Sequence, residues 1–145
     1  MYKRQVDRIY ERSSYLIRPN VANIDNLVIV IAAANPAPDL LLTDKLTVVA
    51  GRAGITPVIC INKTDLAESE QIARIYESAG FRVIVMSAKE HNGAQELGMV
   101  LHGRVSAFAG LSGVGKSSIL NLLCGKLAET GEVSRINRGK HTTRQ

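Results

Sequence analysis

Apolar residues in this chain fall into short unbroken runs separated by segments with helical spacing. Residues 26–33 read NLVIVIAA, which predicts a strand buried on both faces. Asn35-Pro36 and Pro38 then mark a turn. Asp39 can cap a helix running to about Arg52, with Leu40, Leu41, Leu42, Leu46, Val49 and Ala50 on its apolar side and Gly54 as a stop. Residues 57–62 (PVICIN) predict a second buried strand. A helix over about 68–79 presents Ile72, Ile75 and Tyr76, and Gly80 ends it. Residues 82–87 (RVIVMS) predict a third strand, 94–101 a short helix, 105–109 (VSAFA) a fourth strand and 116–123 a fourth helix.

Strand and helix alternate, and the strands are apolar throughout. The pattern predicts an α/β fold, a parallel β-sheet with helices on both faces. In such sheets a ligand sits beyond the carboxyl ends of the strands. The unusual polar residues of this chain lie there, directly after the second, third and fourth strands.

After the fourth strand comes Gly110-Leu111-Ser112-Gly113-Val114-Gly115-Lys116-Ser117, a G-x-x-x-x-G-K-[ST] sequence between a strand and a helix. Its glycines let consecutive N–H groups turn inward around phosphate oxygens. The helix start adds the positive end of its dipole. Lys116 supplies a point charge for the β- and γ-phosphates and Ser117 a hydroxyl for Mg²⁺. At average residue usage the four fixed positions would occur by chance in a chain of this length roughly 0.5% of the time.

At the end of the second strand stands Asn62-Lys63-Thr64-Asp65. A carboxylate at Asp65 can accept both N1–H and the exocyclic amine of guanine, a donor pair that adenine lacks. Asn62 can tie this loop to the phosphate loop, and the Lys63 stem can lie over the base. Alone, such a tetrapeptide is equally a turn and helix cap. Beside a phosphate loop it reads as a base pocket. Ser87-Ala88-Lys89, at the tip of the third strand, adds a backbone N–H able to reach the guanine O6. These motifs precede the phosphate loop, whereas ordinary GTPases have the reverse order. A permuted connection changes which loop is cut without changing which residues meet.

The permuted order, together with RPNVANIDNLVIV (residues 18–30), NKTDL, SAK, GLSGVGKSS ending at Ser118, and the terminal RGKHTT, resembles the ribosome small subunit-dependent GTPase A family. The resemblance implies a circularly permuted P-loop GTPase fold that uses GTP/GDP and Mg²⁺. It also implies GTP hydrolysis during late maturation of the small ribosomal subunit, with contact to its rRNA. It implies an N-terminal OB-fold, of which residues 1–18 resemble the last part, ahead of a permuted GTPase domain over 19–145. Such a remnant is expected to be a loose strand or basic arm. The resemblance further implies that Thr142 or Thr143 coordinates Mg²⁺ and that His141 orients the attacking water; His141 can equally be a plain tail residue. His91 and His102 read as loop and helix-end residues.

Relative to that family the chain reads as truncated at both ends. Neither a D-x-x-G motif nor the zinc ligands of the family follow the phosphate loop. Thr143-Arg144-Gln145 departs from the family's run of threonines, which favours an interrupted reading frame over a clean domain cut. The expectation is retained nucleotide binding with weakened Mg²⁺ and γ-phosphate discrimination and little turnover. Without the strand that the family resemblance implies beside it, the strand at 105–109 would be an exposed sheet edge through which an otherwise monomeric chain could associate.

Composition bounds these readings. The 145 residues are 46% hydrophobic and 21% charged, a globular balance for one domain. Aromatics at 4%, without Trp, argue against a stacking platform for single-stranded nucleic acid. Apolar runs too short for a membrane span predict no membrane partner. The charged start lacks the apolar core of a secretory signal. Cys60 and Cys124 share no ligand spacing and read as buried thiols of a cytoplasmic protein. The net charge of +5 is concentrated at the ends, +3 in residues 1–18 and +3 in 126–145. Those ends are either solvated termini or contacts for a phosphate backbone. Three readings remain: a GTPase of subunit maturation, a guanine-nucleotide- or rRNA-binding module with little turnover, and an ATP-using P-loop protein, against which Asn62-Lys63-Thr64-Asp65 argues.

Overall fold

The computed structural model describes residues 8–17 and 19–129. Four strands form one parallel sheet: β3 (Asn26–Ala32), β4 (Thr56–Asn62), β5 (Arg82–Val85) and β6 (Ser106–Ala109), in the order β5-β4-β3-β6. A short antiparallel pair, β1 (Tyr15–Leu16) with β2 (Val21–Ala22), precedes it. Register runs Val30 opposite Cys60 and Ile29 opposite both Ile59 and Ala109.

Every residue of β3 is buried: its apolar run 27–32 requires this, and Asn26 Nδ2 is satisfied by Val100 O at 3.4 Å and Ser106 Oγ at 3.3 Å. Side chains alternate across the pleat. Leu27, Ile29 and Ile31 enter one core with Ile55, Ile59, Ile61 and Tyr76, on the side of α1 (Leu40–Arg52) and α2 (Glu70–Ser78). Val28, Val30 and Ala32 enter the other with Ile84, Met86, Leu97 and Ile119, on the side of α3 (Ala94–Leu101) and α4 (Lys116–Glu129). Helices therefore cover both faces, as the pattern predicts. Each fully buried aliphatic side chain contributes about 1.5–3 kcal/mol.

Local chemistry sets the helix starts. The Asp39 carboxylate accepts from Leu42 N–H at 2.9 Å, the cap expected of it. The inner side of α1 differs from expectation. Leu41 is 65% and Val49 42% exposed, while Thr43, Thr47 and Ala50 are buried. Thr43 Oγ1 donates to Asp39 O at 2.9 Å and Thr47 Oγ1 to Asp44 O at 2.8 Å. With the hydroxyls satisfied inside the helix, both threonines pack as small apolar groups. In α2 Tyr76 is buried and donates to Asp44 Oδ1 at 2.9 Å, whereas Ile75 is exposed instead of sharing the apolar face.

The loose arm expected up to residue 18 gives way, over its later residues, to docked chain. Leu16 is 2% exposed and joins the first core. The Ser14 hydroxyl donates to Ile24 O and accepts from Ile24 N–H, both at 2.9 Å. Among the described residues β6 pairs only with β3, so its other side carries no strand. The fourth helix continues past residue 123 to Glu129.

Candidate functional site

The tips of β4, β5 and β6 bring the three motifs together. Asn62, the last residue of β4, is 2% exposed. Its Nδ2 donates to Val114 O in the phosphate loop at 2.9 Å, and its Oδ1 accepts from Ala88 N–H at 3.0 Å. One buried amide thus clasps all three loops. Its neighbour in the phosphate loop must be glycine. A Cβ on Gly115 would lie 2.3 Å from Asn62 Nδ2, and the residue sits at φ +98°. Gly110 is constrained in the same way: its φ is +140°, and a Cβ there would lie 2.3 Å from Val30 O.

Beyond Asn62 the chain turns through Lys63 at φ +65°, a left-handed conformation uncommon for a side-chain-bearing residue. Lys63 Nζ donates to Asn35 O in the loop after β3. Thr64 Oγ1 donates to Met86 O at 3.1 Å, fixing this turn against β5. Asp65 follows, with its side chain 7% exposed. Its Oδ1 accepts from Ser87 Oγ at 2.6 Å, and Lys89 Nζ stands 3.7 Å from Oδ2. The Ser87 hydroxyl, helped by the Lys89 charge, holds the Asp65 carboxyl below its usual range, so it is ionised at neutral pH.

A cleft of about 480 Å³ opens between these loops, lined among others by Asn62, Lys63, Asp65, Lys89, Gly115 and Ser118. Its volume lies in the range of small-ligand sites. Leu66, Ala88 and His91 also line it. Base-side and phosphate-side motifs, 21 or more residues apart in the chain, therefore share one cavity.

In the phosphate loop Val114 is buried, Gly113 has φ +81°, and Leu111, Ser112, Ser117 and Ser118 are exposed. Lys116 Nζ donates to Gly110 O at 2.8 Å and Leu111 O at 2.7 Å, which folds the ammonium back along the loop. Ser117 stands in the first turn of α4, where N–H groups face outward. Hard oxygen donors of this kind, one hydroxyl beside phosphate oxygens, suit Mg²⁺, which takes few protein ligands. Among the described residues no three His, Cys, Asp or Glu side chains are grouped as a metal cage. His141, Thr142 and Thr143 lie outside the described residues.

At Ser87-Ala88-Lys89 the structure refines the expected role of the backbone. Ser87 N–H donates to Asn92 Oδ1 and Ala88 N–H to Asn62 Oδ1. Lys89 N–H is left as the tripeptide's donor not engaged within the described residues. Reading along the sequence also misses Asn35 and Asn92, whose contacts come from loops without a motif. The turn-forming pair Asn92-Gly93 was the one available signal.

A parallel α/β sheet with a phosphate loop at one strand tip and the N-K-x-D and S-A-K motifs at two earlier tips has the fold of circularly permuted P-loop GTPases. The chain belongs to the RsgA GTPase family, whose model matches residues 9–145. It is 44% identical over 147 residues to the small ribosomal subunit biogenesis GTPase RsgA of Alkaliphilus metalliredigens, covering 98% of this chain and 50% of that protein. To the protein of the same name from Ruminiclostridium cellulolyticum it is 46% identical over 143 residues, covering 96% and 47%. The chain thus spans about half the length of these curated relatives. Among solved structures it resembles YjeQ from Thermotoga maritima with TM-score 0.71 and 34% identity, over 81% of this chain and 44% of that one. It also resembles YloQ, a circularly permuted GTPase, with TM-score 0.67 and 36% identity, over 79% and 42%. No helix among the described residues is long and apolar enough to cross a membrane.

Proposed function

We propose that this chain binds GTP and GDP in the cleft between Asp65 and the phosphate loop, and that it hydrolyses GTP to GDP and phosphate in the maturation of the small ribosomal subunit. The observation that carries the reading is the clasp at Asn62, which sets a guanine-selective carboxylate and a phosphate loop on one cavity. The names of the relatives supply the biological setting: small ribosomal subunit biogenesis. The subunit and its rRNA are accordingly the proposed partners, in the cytoplasm.

The residues divide the work. Asp65, ionised and held by Ser87, accepts the two guanine donors. Asn62 keeps the base loop in register with the phosphates. The loop N–H groups and Lys116 bind the phosphate oxygens and stabilise charge as it develops. Ser117 holds Mg²⁺, which when bound neutralises phosphate charge. From the family resemblance, Thr142 or Thr143 would add a second oxygen ligand and His141 would orient water.

Titration with a fluorescent GDP analogue, competed by GTP and ATP, tests the base assignment. GTP should displace the probe at far lower concentration; equal competition by ATP overturns the reading. Phosphate release with and without small ribosomal subunits tests turnover and partner together. Release that subunits accelerate is expected; none in either case leaves a binding module in place of an enzyme.

A further inference from the structure

The loop after Ser87 returns on itself in a way that base recognition by Asp65 does not by itself explain. Ser87 is fully buried and makes four hydrogen bonds. Its Oγ donates to Asp65 Oδ1 at 2.6 Å and accepts from Glu90 N–H at 3.2 Å. A serine hydroxyl has one proton. Because Glu90 N–H takes an oxygen lone pair, that proton is directed to Asp65. The backbone of Ser87 is held separately: its N–H donates to Asn92 Oδ1, and its carbonyl accepts from Asn92 N–H at 3.2 Å. Asn92 Nδ2 in turn donates to Glu90 Oε2 at 3.4 Å.

Two backbone features force this return. His91 sits at φ +60° and Gly93 at φ +71°. A Cβ on Gly93 would lie 2.5 Å from Met86 Cβ and 2.6 Å from Val85 O. The loop is therefore pressed against the end of β5, with Asn92 folded over Ser87. Asn92 is exposed and does not line the cleft, so it contributes neither core packing nor a direct ligand contact.

We propose that Asn92 is a positioning residue for base recognition: acting through Ser87, it sets the orientation of the Asp65 carboxylate and thereby the preference for a purine carrying both an N1–H and an exocyclic 2-amine. The inference rests on the guanine-nucleotide reading above and deepens it. Inosine diphosphate lacks only the 2-amine, so the affinity ratio of GDP to IDP reads the second hydrogen bond to Asp65. A residue that served stability alone would move both affinities together and leave the ratio unchanged.

The test is competition of GDP, IDP and ADP against a fluorescent GDP analogue in the 145-residue chain and its variants. Asn92→Ala should lower the GDP-to-IDP ratio about tenfold, the scale of one misaligned charge-assisted hydrogen bond. Asn92→Asp made together with Glu90→Gln, so that no second carboxylate faces residue 92, keeps the Oδ1 acceptor for Ser87 N–H and should hold the ratio within about twofold of the original. Ser87→Ala should lose the ratio as Asn92→Ala does, and the double variant should lose no more than Ser87→Ala alone. Asn92→Gln, which moves the amide by one methylene, should also lose it and serves if the alanine variant fails to fold. An unchanged ratio in Asn92→Ala or Asn92→Gln overturns the proposal, as does an additive Ser87→Ala/Asn92→Ala variant or equal loss in Asn92→Asp combined with Glu90→Gln. If the unsubstituted chain binds ADP as well as GDP, the base reading itself falls and this inference with it.

Discussion

Asn62 and Val114 stand 52 positions apart in the sequence and 2.9 Å apart in space, amide to carbonyl, where the base loop meets the phosphate loop. The same side chain accepts from Ala88 N–H. Without it a buried carbonyl at Val114 and a half-buried N–H at Ala88 would lose their partner. Asn62→Ala should therefore destabilise the domain by about 2–4 kcal/mol, the cost of leaving such groups unsatisfied. Chemical denaturation measures this, and guanine-nucleotide affinity should fall in the same variant.

Gly115 offers an independent test of that clasp. A methyl group there would overlap Asn62 Nδ2, and the residue occupies a left-handed conformation. Gly115→Ala should cost about 1–3 kcal/mol of stability, and nucleotide binding should drop beyond detection by titration. Retained binding with unchanged stability would show that the loop and Asn62 are not packed as described.

The Asp65 carboxyl should titrate below the ordinary carboxylate range of about 3.9, chiefly because of Ser87 Oγ. A folded-state pKa below the unfolded one contributes stability that is complete above the unfolded value and is lost as pH falls through the folded value. Guanine affinity should accordingly be flat from mildly acidic to neutral pH. Carbon-13 carboxyl NMR should show the Asp65 midpoint moving up in Ser87→Ala. An unmoved midpoint would break the assignment of cause.

Among the described residues Lys116 donates only to two carbonyls of its own loop, at 2.8 and 2.7 Å. Its replacement by alanine should leave thermal stability nearly unchanged while weakening GDP about 10–100-fold, the scale of charge-assisted hydrogen bonds to phosphate. Guanosine, which has no phosphate, should bind both proteins alike in the same calorimetric titration.

Cys60 is wholly buried between β3 and β5, and burial pushes its thiol up to about 12. Thiolate is the reactive form. At neutral pH iodoacetamide should label the half-buried Cys124 first, with Cys60 labelled only at the rate of unfolding. Mass spectrometry of a time course would show this order.

Much of the architecture was legible because it rests on local rules. Seven consecutive apolar residues at 27–33 cannot lie on a half-exposed strand, and Asp39 before a leucine run signals a helix start. The phosphate loop and N-K-x-D declare themselves because their chemistry needs residue types at fixed spacing. The inner face of α1 was not legible. Thr43 and Thr47 look polar until their hydroxyls are seen bonded within the helix, and Leu41 and Val49 look like core until the sheet is found on another side. The bonds of Ser87 to Asp65 and Asn92 were equally hidden, since nothing in a sequence says which donor meets which acceptor across a turn.

The sequence by itself determined which segments become strands and helices, the presence of a phosphate loop and a guanine-type base motif, and the permuted order in which they occur. These follow from periodicity and residue chemistry over a few positions. Only the tertiary structure decided that the motifs share one cleft, that Asn62 joins them, and how Asp65 is held. Those depend on strand order and on hydrogen bonds between residues 22 to 52 positions apart. Contacts of that kind are fixed by packing of the whole sheet, which no local pattern encodes.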